Sequence, residues 1–164
     1  MSLKTYQILN KVCQISMNTT NTTSTVKTTP PPNQVKIPEV VKKIKTILIV
    51  EDDPILLKMY SEKFMFEGFK VLNAKDGLEA IETALGTEKI DIILLDIMLP
   101  KMSGTDFLEK LCQDTKGKNI PVIALTNLAE DKEKQRAIKL GVKEYLVKAM
   151  QTPEQVVEKI KKYL

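Results

Sequence analysis

The chain has 164 residues, of which 43% are hydrophobic and 28% are charged, and its formal net charge is +4. Seven lysines and one glutamate fall within residues 1–45, which leaves about −2 for residues 46–164 and argues against a nucleic-acid-binding surface there. The absence of histidine excludes a histidine-based catalytic triad or metal site within this chain, and no apolar run approaches the roughly 18 residues of a membrane helix.

Residues 1–44 are predicted to form a disordered, low-complexity tail. Residues 17–34 are rich in Thr, Asn and Pro, a composition with too little apolar surface to offset the entropy lost on ordering. The first residues, MSLKTYQILNKVCQISM, lack an uninterrupted apolar stretch and a clear cleavage site, so we expect no secretory signal and a cytoplasmic protein. Met17 opens the low-complexity stretch and is an alternative start of translation.

From residue 45 onward, short apolar runs alternate with segments of helical period. Three of the runs are apolar almost throughout, which is typical of strands buried on both faces of a parallel sheet. We therefore predict an α/β domain over residues 45–164, with a doubly wound, five-stranded parallel sheet of the flavodoxin-like (βα)5 type. The five runs are TILIV (46–50), KVLNA (70–74), DIILL (91–95), PVIAL (121–125) and EYLV (144–147).

The helices between these runs are expected to be 10 to 15 residues long, with recognisable ends. Asp53 and Pro54 supply a cap and a first-turn proline for the first helix. Thr152 and Gln155 form the capping-box pattern at the start of the last helix. Gly141 is expected to end the fourth helix in the left-handed conformation.

Polar side chains follow four of the five predicted strands. In open α/β sheets ligands bind outside the carboxyl ends of the strands, so these side chains can converge at one edge. Carboxylates, a hydroxyl and an ammonium group in one shallow cleft suggest Mg²⁺ together with a phosphoryl group, and the metal would relieve repulsion among the adjacent carboxylates. The residues are Glu51, Asp52 and Asp53 after the first strand, Asp96 after the third, Thr126 after the fourth and Lys148 after the fifth.

These motifs together resemble the receiver domain of two-component response regulators. The acidic pair, the LLD strand end, LPKMSG, ALT and YLVK stand in order across residues 46–164. Asp96 follows Glu51 by 45 residues, Thr126 follows Asp96 by 30, and Lys148 follows Thr126 by 22. The resemblance implies a stand-alone signalling switch that accepts a phosphoryl group from a sensor histidine kinase or a phosphotransfer protein.

The resemblance also assigns roles to the acidic residues. Asp96 matches the phosphoacceptor, a carboxylate nucleophile that becomes an acyl phosphate. Glu51 and Asp52 match the acidic pair that holds Mg²⁺, together with Asp96 and the backbone carbonyl of Met98. Asp53 is expected to serve as a helix cap, because Pro54 follows it and the metal pair maps to the two residues before it.

Three further residues match the positions that respond to the phosphoryl group. Lys148 would pair with it as a compact charge on a long stem. Thr126 would donate a hydrogen bond to a phosphoryl oxygen and draw its loop inward. Tyr145 resembles the aromatic switch residue, with a static, half-buried tyrosine as the alternative.

Two departures from the family pattern affect the expected behaviour. Ala149 follows Lys148 where the family usually has proline, so we expect a trans peptide bond at this position. Asn127, Met98 and Leu128 add bulk around the path to the phosphorus, and we predict slow autodephosphorylation.

The readout surface is expected to comprise the fourth helix, the fifth strand and the fifth helix, residues 131–163. No output domain is expected, so the partner would be a downstream protein target, with no direct DNA binding and no membrane contact. A phosphate shuttle in a phosphorelay is an alternative role for the same chemistry. Rival functions are a small Mg²⁺-dependent phosphohydrolase and a phosphate-blind scaffold; we expect a signalling module rather than an enzyme.

Overall fold

The computed structural model describes residues 43–127 and 131–164, apart from the side chain of Asp131. In these residues five strands alternate with five helices, and two short 3-10 turns occur at Gly117–Asn119 and Lys148–Met150. Residues 1–42 of the predicted tail, with the alternative start at Met17, and Leu128 lie outside the described residues. The strands are β1 (Thr46–Val50), β2 (Lys70–Ala74), β3 (Ile92–Leu95), β4 (Val122–Thr126) and β5 (Glu144–Val147). The helices are α1 (Pro54–Phe66), α2 (Gly77–Ala84), α3 (Gly104–Gln113), α4 (Asp131–Lys139) and α5 (Pro153–Lys161).

The strands form one parallel sheet in the order β2-β1-β3-β4-β5, which confirms the predicted doubly wound α/β fold. The strand order reverses between β1 and β3, where ligands bind in sheets of this kind. Val50 pairs with Leu95, and the backbone N–H of Asp96 donates to the carbonyl of Val50 at 2.9 Å. The ends of β1 and β3 therefore lie side by side.

Apolar side chains fill both faces of the sheet, because alternate residues of β1, β3 and β4 point to opposite sides. One face packs against α2, α3 and α4 and includes Leu48, Ile93 and Phe107. The other face packs against α1 and α5 and includes Ile49, Phe64 and Ile160. All residues of these three strands are buried, as the near-continuous apolar runs predicted.

The predicted helix ends are confirmed. The Asp53 side chain accepts hydrogen bonds from the N–H groups of Ile55 and Leu56, and Thr152 forms a complete capping box with Gln155. Gly141 has a φ of +87°, in the left-handed region. None of the described helices combines the length and apolar content needed to cross a membrane.

The predicted helix lengths of 10 to 15 residues are wrong for α2, which has 8 residues, and for α5, which has 9. The α4 helix has 9 residues within the described part of the chain. Gly86 lies two residues beyond α2, and Gly141 lies two residues beyond α4. Glycine disfavours continuation of a helix through its backbone freedom, so both helices end before their glycine. The α5 helix begins at its proline and ends at Lys161.

Candidate functional site

Three carboxylates meet at the carboxyl ends of β1 and β3. Glu51, Asp52 and Asp96 each offer an oxygen, and these oxygens lie within 4.8 Å of one another. Glu51 and Asp96 are only 3% and 6% exposed, whereas Asp52 is exposed. Like charges this close repel, so the group requires a cation to offset them.

Lys148 supplies a positive charge to this group from the end of β5. Its Nζ lies 2.5 Å from Oε2 of Glu51 and 2.6 Å from Oδ2 of Asp96. The lysine side chain is 8% exposed, so the two ion pairs form away from bulk water. Removing these charges from water is costly, and the cost is offset only when the geometry of the ion pairs is good.

Burial and the ion pairs act in opposite directions on the pKa values of Glu51 and Lys148. For Glu51, burial is the largest influence and raises the pKa above its ordinary value, although the hydrogen bond and charge of Lys148 lower it. For Lys148, burial lowers the pKa, but the hydrogen bonds to Asp96 and Glu51 outweigh it and the pKa is raised. The lysine is therefore protonated at neutral pH.

The other residues assigned from the sequence lie around this group. Thr126 is buried at the last position of β4. It lies two residues after Ala124, which pairs with Leu95 at the end of β3. Met98 has an exposed side chain, and its backbone N–H donates to Oδ1 of Asp96 at 2.9 Å. Tyr145 pairs with Ala124 and is half-buried against the apolar cluster under α2, α3 and α4.

Two residues next to the carboxylates behave as the sequence predicted. Asp53 is occupied as the cap of α1, since its Oδ1 accepts from Ile55 at 2.8 Å and from Leu56 at 3.1 Å. The bond between Lys148 and Ala149 is trans. The 3-10 turn that begins at Lys148 therefore forms without proline.

Three residues near the site were not singled out in the sequence analysis. Asp76 is 3% exposed, and its Oδ2 accepts a hydrogen bond from Nζ of Lys101 at 2.5 Å. Tyr60 of α1 is buried. Burial raises the pKa of its hydroxyl above the ordinary value, although the charge of Lys148 acts in the opposite direction. The Asp76-Gly77 pair after β2 signals a helix cap, but no sequence signal identifies its lysine partner.

A family model described as the response regulator receiver domain matches residues 47–161. The chain belongs to this family. Among curated receiver-domain relatives, the polar-differentiation response regulator DivK of Brucella anthropi is 33% identical over 120 residues, covering 73% of this chain and 96% of DivK. DivK of Brucella ovis is also 33% identical over 120 residues, with the same coverage of both chains.

Solved receiver domains have the same fold. A CheY-like receiver domain protein from Methanospirillum hungatei matches with a TM-score of 0.67 and 31% identity, covering 73% of this chain and 92% of that chain. CheY4 of Vibrio cholerae matches with a TM-score of 0.68 and 27% identity, covering 74% of this chain and 99% of CheY4. The receiver domain of a Pseudomonas aeruginosa sensor histidine kinase matches with a TM-score of 0.67 and 25% identity, covering 73% of this chain and 97% of that chain. That structure was solved with magnesium in its active site cleft.

Membership in this family identifies the protein as a phosphorylation-activated signalling switch of two-component systems. Receiver domains interact with histidine kinases or phosphotransfer proteins and bind Mg²⁺ at an acidic pocket. The donor set fits that ion, because Glu51, Asp52 and Asp96 offer only oxygen ligands, which Mg²⁺ prefers.

Proposed function

We propose that Asp96 is the phosphoacceptor of this switch. The observation that supports this most directly is the pairing of its buried carboxylate with Lys148, 2.6 Å away, inside a group of three carboxylates. The Asp96 carboxylate attacks phosphorus, the bond from phosphorus to the donor breaks, and an acyl phosphate forms. The donor is a histidine kinase or a phosphotransfer protein.

The same group holds Mg²⁺ in this proposal. Glu51, Asp52 and Asp96 supply carboxylate oxygens, and the backbone carbonyl of Met98 supplies a fourth oxygen. When bound there, Mg²⁺ would supply positive charge against the transferring phosphoryl group. The magnesium in the active site cleft of the Pseudomonas aeruginosa receiver domain supports this assignment.

The remaining residues respond to the new charge of about −1.5 to −2 on Asp96. Lys148 exchanges its carboxylate partners for the phosphoryl oxygens, and the hydroxyl of Thr126 donates to one of them. Tyr145 turns inward when Thr126 moves. The population shifts toward this arrangement because it meets the phosphoryl group better.

The domain that carries this chemistry spans residues 45–164, and its output surface consists of α4, β5 and α5. A downstream protein binds this surface, without direct binding of DNA or a membrane. Phosphoryl transfer to Asp96 and slow hydrolysis from it are the only reactions in this proposal. Asn127 and the side chain of Met98, both exposed beside the site, restrict access of water to the phosphorus.

Intact-mass measurement after incubation with Mg²⁺ and acetyl phosphate tests the proposal. Wild type should gain one phosphoryl group, whereas Asp96→Asn should gain none, and chelation of Mg²⁺ should abolish the gain. Asp53→Asn is the matched control, because an asparagine still caps α1 and the modification should persist. A phosphoryl group on Asp96→Asn would place the acceptor elsewhere and contradict the proposal.

A further inference from the structure

We propose that Asp76 and Lys101 are positioning residues that hold the segment between β3 and α3 over the phosphorylation site and thereby strengthen Mg²⁺ binding. The inference rests on the function proposed above. It concerns two side chains that touch neither the phosphoryl group nor the metal in that proposal. Three features of residues 96–104 and of the neighbouring start of α2 support it.

The first feature is how closely this segment turns back over Asp96. The backbone N–H of Met98 donates to Oδ1 of Asp96 at 2.9 Å, and the N–H of Gly104 donates to the carbonyl of Ile97 at 2.9 Å. A Cβ at Gly104 would lie 2.4 Å from the carbonyl oxygen of Asp96, closer than any side chain can approach. The base of the segment is therefore fixed directly against the phosphoacceptor.

The second feature is a lysine in an unusual backbone conformation at the tip of the segment. Lys101 has a φ of 63° and is the non-glycine residue with positive φ in the described part of the chain. Such a conformation is unfavourable for residues with a Cβ and persists where surrounding contacts enforce it. The contact here is the hydrogen bond from Nζ of Lys101 to Oδ2 of Asp76 at 2.5 Å.

The third feature is that the partner of Lys101 is already fixed in place. The Oδ1 of Asp76 accepts hydrogen bonds from Leu78 at 3.0 Å and Glu79 at 2.9 Å, so its carboxylate is held as the cap of α2. The segment also rests on Gly77, where a Cβ would lie 2.5 Å from the carbonyl oxygen of Met102. The start of α2 thus forms a rigid support for the tip of the segment.

These contacts bear on the metal through Met98, which lies between the fixed base and the fixed tip. If the tip is released, the backbone of Met98 can move away from Asp96, and the proposed carbonyl ligand is no longer preorganised. An ordinary surface ion pair would have no such effect. The distinction is that Asp76 is nearly buried, with 4% of its side chain exposed, although Lys101 is 60% exposed.

Two variants of the full chain remove the ion pair with little other change. Lys101→Met keeps roughly the length of the side chain and removes only its charge, and Asp76→Asn keeps an oxygen that caps α2. Lys70→Met is the matched control, because it removes another lysine–carboxylate pair, with Glu88, away from the site. Calorimetric titration with Mg²⁺ alone gives the dissociation constant for each protein.

We expect Lys101→Met and Asp76→Asn each to weaken Mg²⁺ binding by about threefold to tenfold, with Lys70→Met unchanged. The double variant should bind no more weakly than either single variant, because both remove one interaction. In chelator, the Met98 N–H should exchange with solvent faster in both single variants than in the control. A purely structural role would lower the melting temperature and leave both the dissociation constant and this exchange unchanged.

The outcomes separate this inference from the function on which it rests. Mg²⁺ binding by wild type with equal affinity in Lys101→Met and Asp76→Asn overturns the positioning role alone. Failure of wild type to bind Mg²⁺ overturns both the positioning role and the proposed metal site. If Asp76→Asn does not fold, the inference stands or falls on Lys101→Met, whose altered side chain is largely exposed.

Discussion

At the scale of single residues, Lys148 decides whether the carboxylate group is stable without a metal ion. Its ammonium lies within ion-pair distance of both buried carboxylates, Glu51 and Asp96. Removal of one partner from a buried ion pair leaves an uncompensated charge, which costs far more than the loss of an exposed pair. In the proposed metal site Mg²⁺ binds the same two carboxylates, so we expect lysine and metal to compete for them.

Replacement of this lysine should therefore change stability and metal affinity in opposite directions. In chelator, Lys148→Met should lower the free energy of unfolding by about 3 kcal/mol, because Glu51 and Asp96 lose their cation. Mg²⁺ should restore much of this loss and should bind more tightly than to wild type. Urea unfolding with and without Mg²⁺, together with calorimetric titration, measures both effects.

Lys161→Met is a suitable control for this experiment, since Lys161 pairs with Glu67 at a more exposed site. Its replacement should lower the free energy of unfolding by less than about 1 kcal/mol. Weaker Mg²⁺ binding by Lys148→Met would show that lysine and metal do not compete.

The residues of the site differ in how far the sequence could identify them. Asp53 was predictable as a cap because the following proline specifies the local backbone. The convergence of Glu51, Asp96 and Lys148 at one edge followed from their positions after parallel strands. That one ammonium bridges both carboxylates was not predictable, because it depends on a side-chain conformation set by tertiary packing. The bond from Lys101 to Asp76 was missed for the same reason.

At the scale of secondary-structure elements, the sequence located the strands well and the helix lengths poorly. The observed β3 begins at Ile92, one residue after the predicted start, and β4 runs from Val122 to Thr126, one residue later than predicted. Continuous apolar runs mark strands buried on both faces clearly. Helix lengths depend on where glycines and tertiary contacts stop the helix, and these are weaker signals.

The α4 helix contacts α3 through a polar network, which no sequence period could indicate. Arg136 donates to Oγ1 of Thr105 at 2.9 Å and to Oδ1 of Asp106 at 2.8 Å, and it lies 2.9 Å from Oε1 of Glu109. Thr105 directly follows Gly104, whose N–H donates to the carbonyl of Ile97, the residue after Asp96. This network therefore joins the proposed output surface to the segment that follows the proposed phosphoacceptor.

The pairing of β5 with α5 gives a pH-dependent prediction at this scale. Glu144 accepts a hydrogen bond from Lys159 at 2.9 Å, which lowers its pKa; burial opposes this, and Tyr163 adds a second hydrogen bond. Because the folded pKa lies below the unfolded one, the pair stabilises the fold above the ordinary glutamate pKa. That contribution is lost as the pH falls through the folded pKa.

Glu144→Gln should accordingly lower the free energy of unfolding at neutral pH by about 0.5–1 kcal/mol. The difference from wild type should shrink as the pH falls below 4.5, the ordinary value for this group. Urea unfolding across this pH range measures the difference, with the exposed Glu82→Gln as control. A difference that stays constant into acid would mean that the charge of Glu144 contributes nothing.

At the scale of the whole molecule, the described residues contain both apolar layers and every residue assigned to the site. A fragment of residues 43–164 should therefore have a free energy of unfolding within about 0.5 kcal/mol of that of the full chain. It should also accept one phosphoryl group as readily as the full chain does. Urea unfolding and intact mass test this expectation. A large loss of stability would show that residues 1–42 belong to the folded domain and would contradict the proposed boundary at residue 45.

The position of Lys148 on the last strand has a consequence for synthesis. Chains grow from the amino terminus, so Glu51 and Asp96 leave the ribosome well before the lysine that neutralises them. A nascent chain that ends before β5 has an exposed edge on β4 and two carboxylates without their ammonium partner. The ion pairs of the site form only when β5 docks onto the sheet. We therefore expect prematurely terminated chains to be less stable than the complete domain.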